Sequence, residues 1–425
     1  MALRKNQSKL SDPEKLKFVS AVLTLKAETK KGNTLSTYDQ YVQWHKDTVD
    51  DKTGRNDAHK GPAFFAWHRV FLLEFEKDLQ RISGDPNFGL PYWDWRIDNS
   101  PTSSIWRNNF MGGNGNGDPD WAVTDGPFRQ GQWELHVRDS DDEPTYLRRQ
   151  FGSDPDANSL PTWDNVRAAL SATPFDVAPW NEYSASGFRN MAEGYIPPQY
   201  NPPTYFPKMH NRVHYWVGGS MIPITSPNDP VLFLHHCFMD KLWSDWQVLE
   251  LQRGGTIDHS LYLPEHGARP GHNLDDKMSP WNTVDWPHQS PSDVIFNHGQ
   301  LGYRYDTDND LQPFDELRPG QQIWSADAQY YLTYESGGNL VLYHESPFIK
   351  VWESGTAGRP VGVCRMEGYG NLAIYGPDGK PPPIWQSNTD HNAAGSRLVV
   401  RTDGKVAIYQ PDGRLLWSRP PPSTG

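Results

Sequence analysis

The sequence predicts a multidomain chain: a mainly α-helical domain, with a four-helix bundle core and long loops, followed by an all-β domain of three-fold internal symmetry. Three observations predict it. Segments of helical period, several of them carrying histidine, recur up to Gln252. Long stretches rich in Gly, Pro, Asp and Asn separate them. After Leu317 the texture changes to short alternating segments that repeat.

The elements follow in order. Ser11-Asp-Pro-Glu14 has the form of a capping box and opens a helix to about Lys31. Thr37 to Thr48 reads as a second helix bearing Tyr41, Trp44 and His45, and the polar stretch from Asp50 to Asp57 breaks it. Phe64 to Ile82 is a third helix with Val70, Leu73 and Leu79 as contacts, stopped by Ser83-Gly-Asp-Pro86. From about Asn99 to Pro203 the chain reads as irregular loop apart from a helical segment at Asp164 to Ser171, and such length is expected to form walls of an active site. Helical character returns at Lys208 to Val217 and Pro230 to Gln252. Loop follows to about Pro313, and the domain boundary is placed near residues 308 to 316, giving domains 1–310 and 317–425.

In the second domain Glu335 to Tyr343, Glu367 to Tyr375 and Arg401 to Tyr409 superpose. Each is followed by a tryptophan, Trp352, Trp385 and Trp417, and turns such as Pro377-Asp-Gly379 and Pro411-Asp-Gly413 punctuate them. Three copies of one β unit are implied.

Composition narrows the function. The 425 residues include 18 Trp, 19 Tyr and 17 Phe, so the core and any pocket should be aromatic. A net charge of -12 argues against nucleic acid and anionic membrane as partners, and no run is long enough to span a bilayer. Met1 to Leu10 has no apolar segment after its basic residues, so no signal peptide is expected and the localisation is cytoplasmic, or exported with a partner. Cys237 and Cys364 are too few for a disulfide scaffold and are expected as free thiols.

The chemistry lies in the histidines. His210 and His214, four apart, share one face of a helix, and His235-His236 follows on the next. His45, His59 and His68 form a second set, while the remaining histidines read as structural or solvated. Imidazoles without Cys or carboxylate suit copper or zinc. A zinc-protease helix needs Glu directly after the first His as base, and that place is Asn211. Two separate histidine triads suggest two like metals with open positions between them, which fits copper.

These segments, with Pro91-Tyr-Trp-Asp-Trp95, Gly187-Phe-Arg-Asn190, Asp229-Pro to Trp243 and Tyr303-Arg-Tyr305, resemble the tyrosinase and polyphenol oxidase family of type 3 copper proteins, in its bacterial form, over roughly residues 35 to 306. The resemblance implies two copper ions, one held by His45, His59 and His68, the other by His210, His214 and His236. It implies packing of Phe64 against a ligand imidazole and a gate position at Ile224, while His235, about 100° round the helix from His236, is expected in a supporting place. Glu193 and Asn211 would hold the water that deprotonates phenols. Asp57, two before His59, excludes the Cys-His thioether of fungal and plant members. Implied too are phenols and dioxygen as substrates, oxidation of o-diphenols or o-aminophenols to quinones or quinone imines, hydroxylation of monophenols, and a copper-loading partner protein. Haemocyanin-like dioxygen binding and sugar binding are the alternatives.

The repeats resemble the bulb-type mannose-binding lectin domain, a β-prism with the motif Gln-x-Asp-x-Asn-x-Val-x-Tyr. No copy is intact: the first keeps Asn339, Val341 and Tyr343, the second Asn371 and Tyr375, the third Asp403 and Tyr409. The fold is expected to survive and mannose binding to be weak or lost.

Overall fold

A computed structural model describes residues 2–118, 120–195, 208–252, 260–283, 286–295, 301–306, 310–311, 313–325, 329–345, 347–389, 393–411 and 413–419. Contacts divide the chain into two units, Met1–Arg304 and Tyr305–Gly425. His259, His298 and His391 lie outside the described residues, as does Asp412 in one expected turn.

In the first unit, strand β1 (Ala2–Arg4) precedes helix α1 (Asp12–Ala27). The expected capping box is present: Ser11 N–H donates to the Glu14 carboxylate at 2.8 Å, and Glu14 N–H to Ser11 Oγ. The helix stops short of Lys31, because the polar residues after Ala27 offer no apolar face to bury. Helix α2 (Thr37–Lys46) is capped by Ser36, and a short hairpin, β2 (Val49–Asp50) with β3 (Arg55–Asn56), fills the expected polar break. Helix α3 (Phe64–Ser83) ends at Gly84, which adopts the left-handed φ of 66° that a glycine C-cap allows.

The long irregular region holds the expected α4 (Trp163–Ser171) and also an unexpected six-residue helix, α5 (Phe188–Glu193). So short a helix has little period to read. It is held instead by Arg189, whose buried guanidinium reaches Asp176 and Glu193. Helices α6 (Met209–Val217) and α7 (Val231–Gln252) complete the set. Helix α3 packs on α1 and α7, α2 on α1, and α6 on α7.

The aromatic composition is spent where α2, α3 and α7 meet: Phe233 stacks on Phe75 at 3.7 Å between ring centroids and on Phe71 at 5.4 Å, with Tyr38 and Tyr41 edge-on. Buried ion pairs anchor α7 at two places. Arg149 grips Asp229 with Nε and Nη2 at 2.7 and 2.8 Å just before the helix. One turn beyond His236, Asp240 accepts from Arg69, from Arg4 at 3.0 Å and from the Tyr303 hydroxyl at 2.7 Å. The last two come from β1 and from β4 (Tyr303–Tyr305), which pair as a two-stranded sheet.

Among its described residues the second unit has twelve short strands. They are β5 (Asp310–Leu311), β6 (Glu316–Leu317), β7 (Gln322–Trp324), β8 (Tyr330–Tyr334), β9 (Leu340–His344), β10 (Ile349–Glu353), β11 (Val363–Met366), β12 (Leu372–Tyr375), β13 (Trp385–Gln386), β14 (Arg397–Val400), β15 (Val406–Tyr409) and β16 (Leu415–Arg419). They form three four-stranded antiparallel sheets, ordered β10-β9-β8-β7, β13-β12-β11-β6 and β16-β15-β14-β5. Thus β5 and β6, from the segment expected to join the domains, both pair into this unit. Each sheet sends alternate residues inward, among them Leu332, Leu342, Met366, Ile374, Leu398 and Ile408. The three repeat tryptophans meet, with ring centroids 5.8 to 6.2 Å apart.

Candidate metal centre

The helices of the first unit deliver the histidines to one buried place. His45 lies in the last turn of α2, His68 in the second turn of α3, His210 and His214 one turn apart on α6, and His236 early in α7. His59 comes from the turn between β3 and α3. His45, His59 and His68 form one group, with centroids 4.9 to 5.7 Å apart. His210, His214 and His236 form the other, and His68 stacks on His236 at 4.1 Å. The two groups therefore share a wall.

Hydrogen bonds decide which nitrogen is free in four of the six rings, whereas Nδ1 of His59 and of His236 is buried without a partner. Nδ1 of His45 lies 2.5 Å from the Ile224 carbonyl, Nδ1 of His68 2.7 Å from the Phe64 carbonyl, and Nδ1 of His214 2.6 Å from the Met221 carbonyl. A carbonyl only accepts, so each Nδ1 carries the proton and each Nε2 presents a lone pair. His210 is fixed likewise by the Asn211 Oδ1, 2.9 Å from its Nδ1. The Nε2 atoms of His45 and His68 are buried without a partner. That of His210 lies 3.0 Å from His214 Nε2 and 3.2 Å from His236 Nε2.

Lone pairs so disposed repel each other unless a cation lies between them. Ligand nitrogens about 2.0 Å from a tetrahedral metal stand about 3.3 Å apart, close to what is seen. Burial keeps all six rings neutral, with His45 and His214 held down to about 4 and the others well below the usual histidine value. Neutral imidazole is the form that binds a metal. The donor set fits copper.

His235 differs. Its ring nitrogen falls within the same cluster, and it stacks on His210 at 5.1 Å. But Trp95 Nε1–H donates to its Nδ1 at 3.2 Å, leaving the proton on Nε2, the opposite tautomer. That Nε2 is buried without a partner, and in this tautomer it offers no lone pair. Phe64, the first residue of α3, touches imidazoles of both groups, at 4.8 Å from His210 and 4.9 Å from His68.

Glu193, the last residue of α5, is buried. Its Oε1 accepts from Lys60 N–H at 2.5 Å and its Oε2 from Arg189 at 2.9 Å. Burial pushes its carboxyl up to about 7 against the pull of Arg189. The next residue, Gly194 (φ +109°), brings α5 against α6: a Cβ there would stand 1.9 Å from the Lys208 carbonyl and 3.1 Å from Asn211 Cβ. Asn211, its Oδ1 engaged by His210, keeps a buried amide Nδ2 without a partner. Ile224 is half-buried, and its carbonyl rather than its side chain makes the contact with His45. The carbonyls of Met221 and Ile224, and the indole of Trp95, are supports that sequence reasoning missed. Backbone atoms carry no residue-type signal, and Trp95 was visible only as part of the Pro91 to Trp95 motif.

Residues 35–249 match the family described as the common central domain of tyrosinase. The chain is 41% identical over 312 residues to the tyrosinase of Streptomyces lincolnensis, covering 72% of this chain and all of that one. The chain belongs to the tyrosinase family. It is also 36% identical over 330 residues to grixazone synthase of Streptomyces griseus, covering 72% and 99%. The fold agrees with a polyphenol oxidase structure from Thermothelomyces thermophila at a TM-score of 0.55, with 24% identity, over 72% of this chain and 88% of that one. With the tyrosinase family come a dinuclear type 3 copper centre and the oxidation of phenols by dioxygen, and the chain is a copper-dependent phenol oxidase. Among the described residues no helix is long and apolar enough to cross a membrane.

Proposed function

We propose that this oxidase converts o-diphenols and o-aminophenols to quinones and quinone imines and also hydroxylates monophenols. One copper is held by His45, His59 and His68, the other by His210, His214 and His236. The observation that carries the reading is the stack of His68 on His236 at 4.1 Å, which makes two inward-facing triads into one dinuclear site. When bound, the copper pair supplies dioxygen reduction and accepts electrons from the ring. The chain's residues orient and deprotonate. Phe64 fixes imidazoles of both sets, and the Met221 and Ile224 carbonyls hold His214 and His45 from one loop. The side chain of Ile224 gates the approach and, being aliphatic, admits bulky phenols. Glu193 and the free amide of Asn211 supply acceptor and donor for a water that takes the phenolic proton. Rates on phenol, catechol and o-aminophenol test the substrate range; turnover of catechol alone would remove the monophenol step. A copper-loading partner protein belongs to the same proposal, and copper uptake by the isolated chain in free Cu(II) would dispense with it.

For the second unit we propose a lectin-like β-prism that has lost its sugar site. The motif's polar groups are engaged internally. Asn339 donates to Glu353 at 2.7 Å and accepts from Ser354 and Thr356, and Asn371 repeats this with Gln386, Ser387 and Thr389. The Tyr343 hydroxyl donates to Glu335 at 2.7 Å, and Arg401 donates to that of Tyr409. Retention on immobilised mannan would contradict it.

A further inference from the structure

His59 is exceptional among the six histidines. The others stand on helices, whereas His59 sits in a turn, and its Nδ1 is buried without a partner. Neither a helix nor a ring hydrogen bond aims it, so its backbone must.

That backbone is bracketed by groups from remote parts of the chain. Asn56 Oδ1 accepts from His59 N–H at 2.8 Å, and the Arg269 guanidinium donates to the His59 carbonyl. Glu193 takes the next N–H, that of Lys60, which lies in the left-handed region at φ 56°. His272, fully buried, spans the turn: its Nδ1 accepts from Ala63 N–H at 3.2 Å, which leaves the proton on Nε2 to donate to the Asn56 carbonyl at 2.9 Å. Arg269 Nε lies 3.0 Å from the same Nε2, but with the proton there both are donors, so the two side chains touch and each holds the turn through its own hydrogen bond. Gly61 is flush against the ring, where a Cβ would stand 2.7 Å from His272 Nδ1.

We infer that Arg269 and His272 are positioning residues for the first copper, clamping the His59 turn so that its imidazole meets the metal. This rests on the ligand set proposed above. Both come from the loop after α7, so copper retention at one site depends on a segment outside the four ligand-bearing helices.

The full chain loaded with Cu(II) is titrated with a competing chelator, following copper per chain and the EPR signal. In R269A, whose side chain is only partly buried, one of the two coppers should leave at about 10- to 100-fold lower chelator concentration, as loss of a group supporting a ligand does. The other should stay, and the EPR signal of an isolated Cu(II) should appear. H272F should behave alike, R269K should fall between, and melting of copper-free R269A should match wild type. R269A holding both coppers with wild-type affinity, or losing both together, overturns the inference. H59A separates the two failures: if it keeps both coppers the ligand set itself is wrong, whereas if it loses one while R269A loses none, only the clamp is wrong.

Discussion

Replacing Glu193 by Gln tests the assignment of the base. The substitution preserves volume and leaves Arg189 paired with Asp176 at 2.8 Å, so the helix carrying it should stay in place. With the carboxyl raised to about 7, half of it is ionised at neutral pH, and the base-competent fraction climbs roughly tenfold between pH 6 and pH 8. Phenol hydroxylation by the wild type should climb with it. In the Gln variant that pH dependence should vanish and the rate on phenol should fall by about 10²- to 10⁴-fold, the usual worth of a positioned base. Catechol oxidation should fall much less. Stability carries the opposite sign: the folded-state value lies above the ordinary 4.5, so burial favours the protonated form. The copper-free wild type should lose about 3 kcal/mol as pH rises from 4.5 through 7, and the variant should not. Initial rates by oxygen consumption and urea midpoints at both pH values measure the two effects. An unchanged rate on phenol would refute the base.

Two further substitutions test supports of the site. Asn211→Leu removes the acceptor for His210 Nδ1 and should weaken copper binding about 10- to 100-fold in a chelator competition. Arg149→Ala strands the buried Asp229 carboxylate ahead of α7 and should cost about 3 to 5 kcal/mol by denaturant titration.

Much of this was legible in the residues, and the reason differs by element. Helix α1 announced itself by a capping box, and α6 by two histidines one turn apart, because caps and period are local signals. The three-fold unit was legible because repetition samples the same constraint three times. What stayed hidden was non-local. The pairing of β1 with β4 joins opposite ends of the first unit and leaves no pattern in either strand. Arg269 and His272 act on backbone atoms more than two hundred residues away, so His272 read as one more structural histidine. His235 shows the remaining limit: its place beside a ligand could be read from helix geometry, but its tautomer needed the indole of Trp95.

The central claim is that two histidine triads make one dicopper oxidase. Metal analysis of the loaded chain, followed by addition of catechol under oxygen, tests it most directly. Two coppers per chain are expected, with quinone absorbance and oxygen uptake that cease when copper is removed and return when it is restored. Reversible oxygen binding with no quinone, or quinone formation by the copper-free chain, would contradict it.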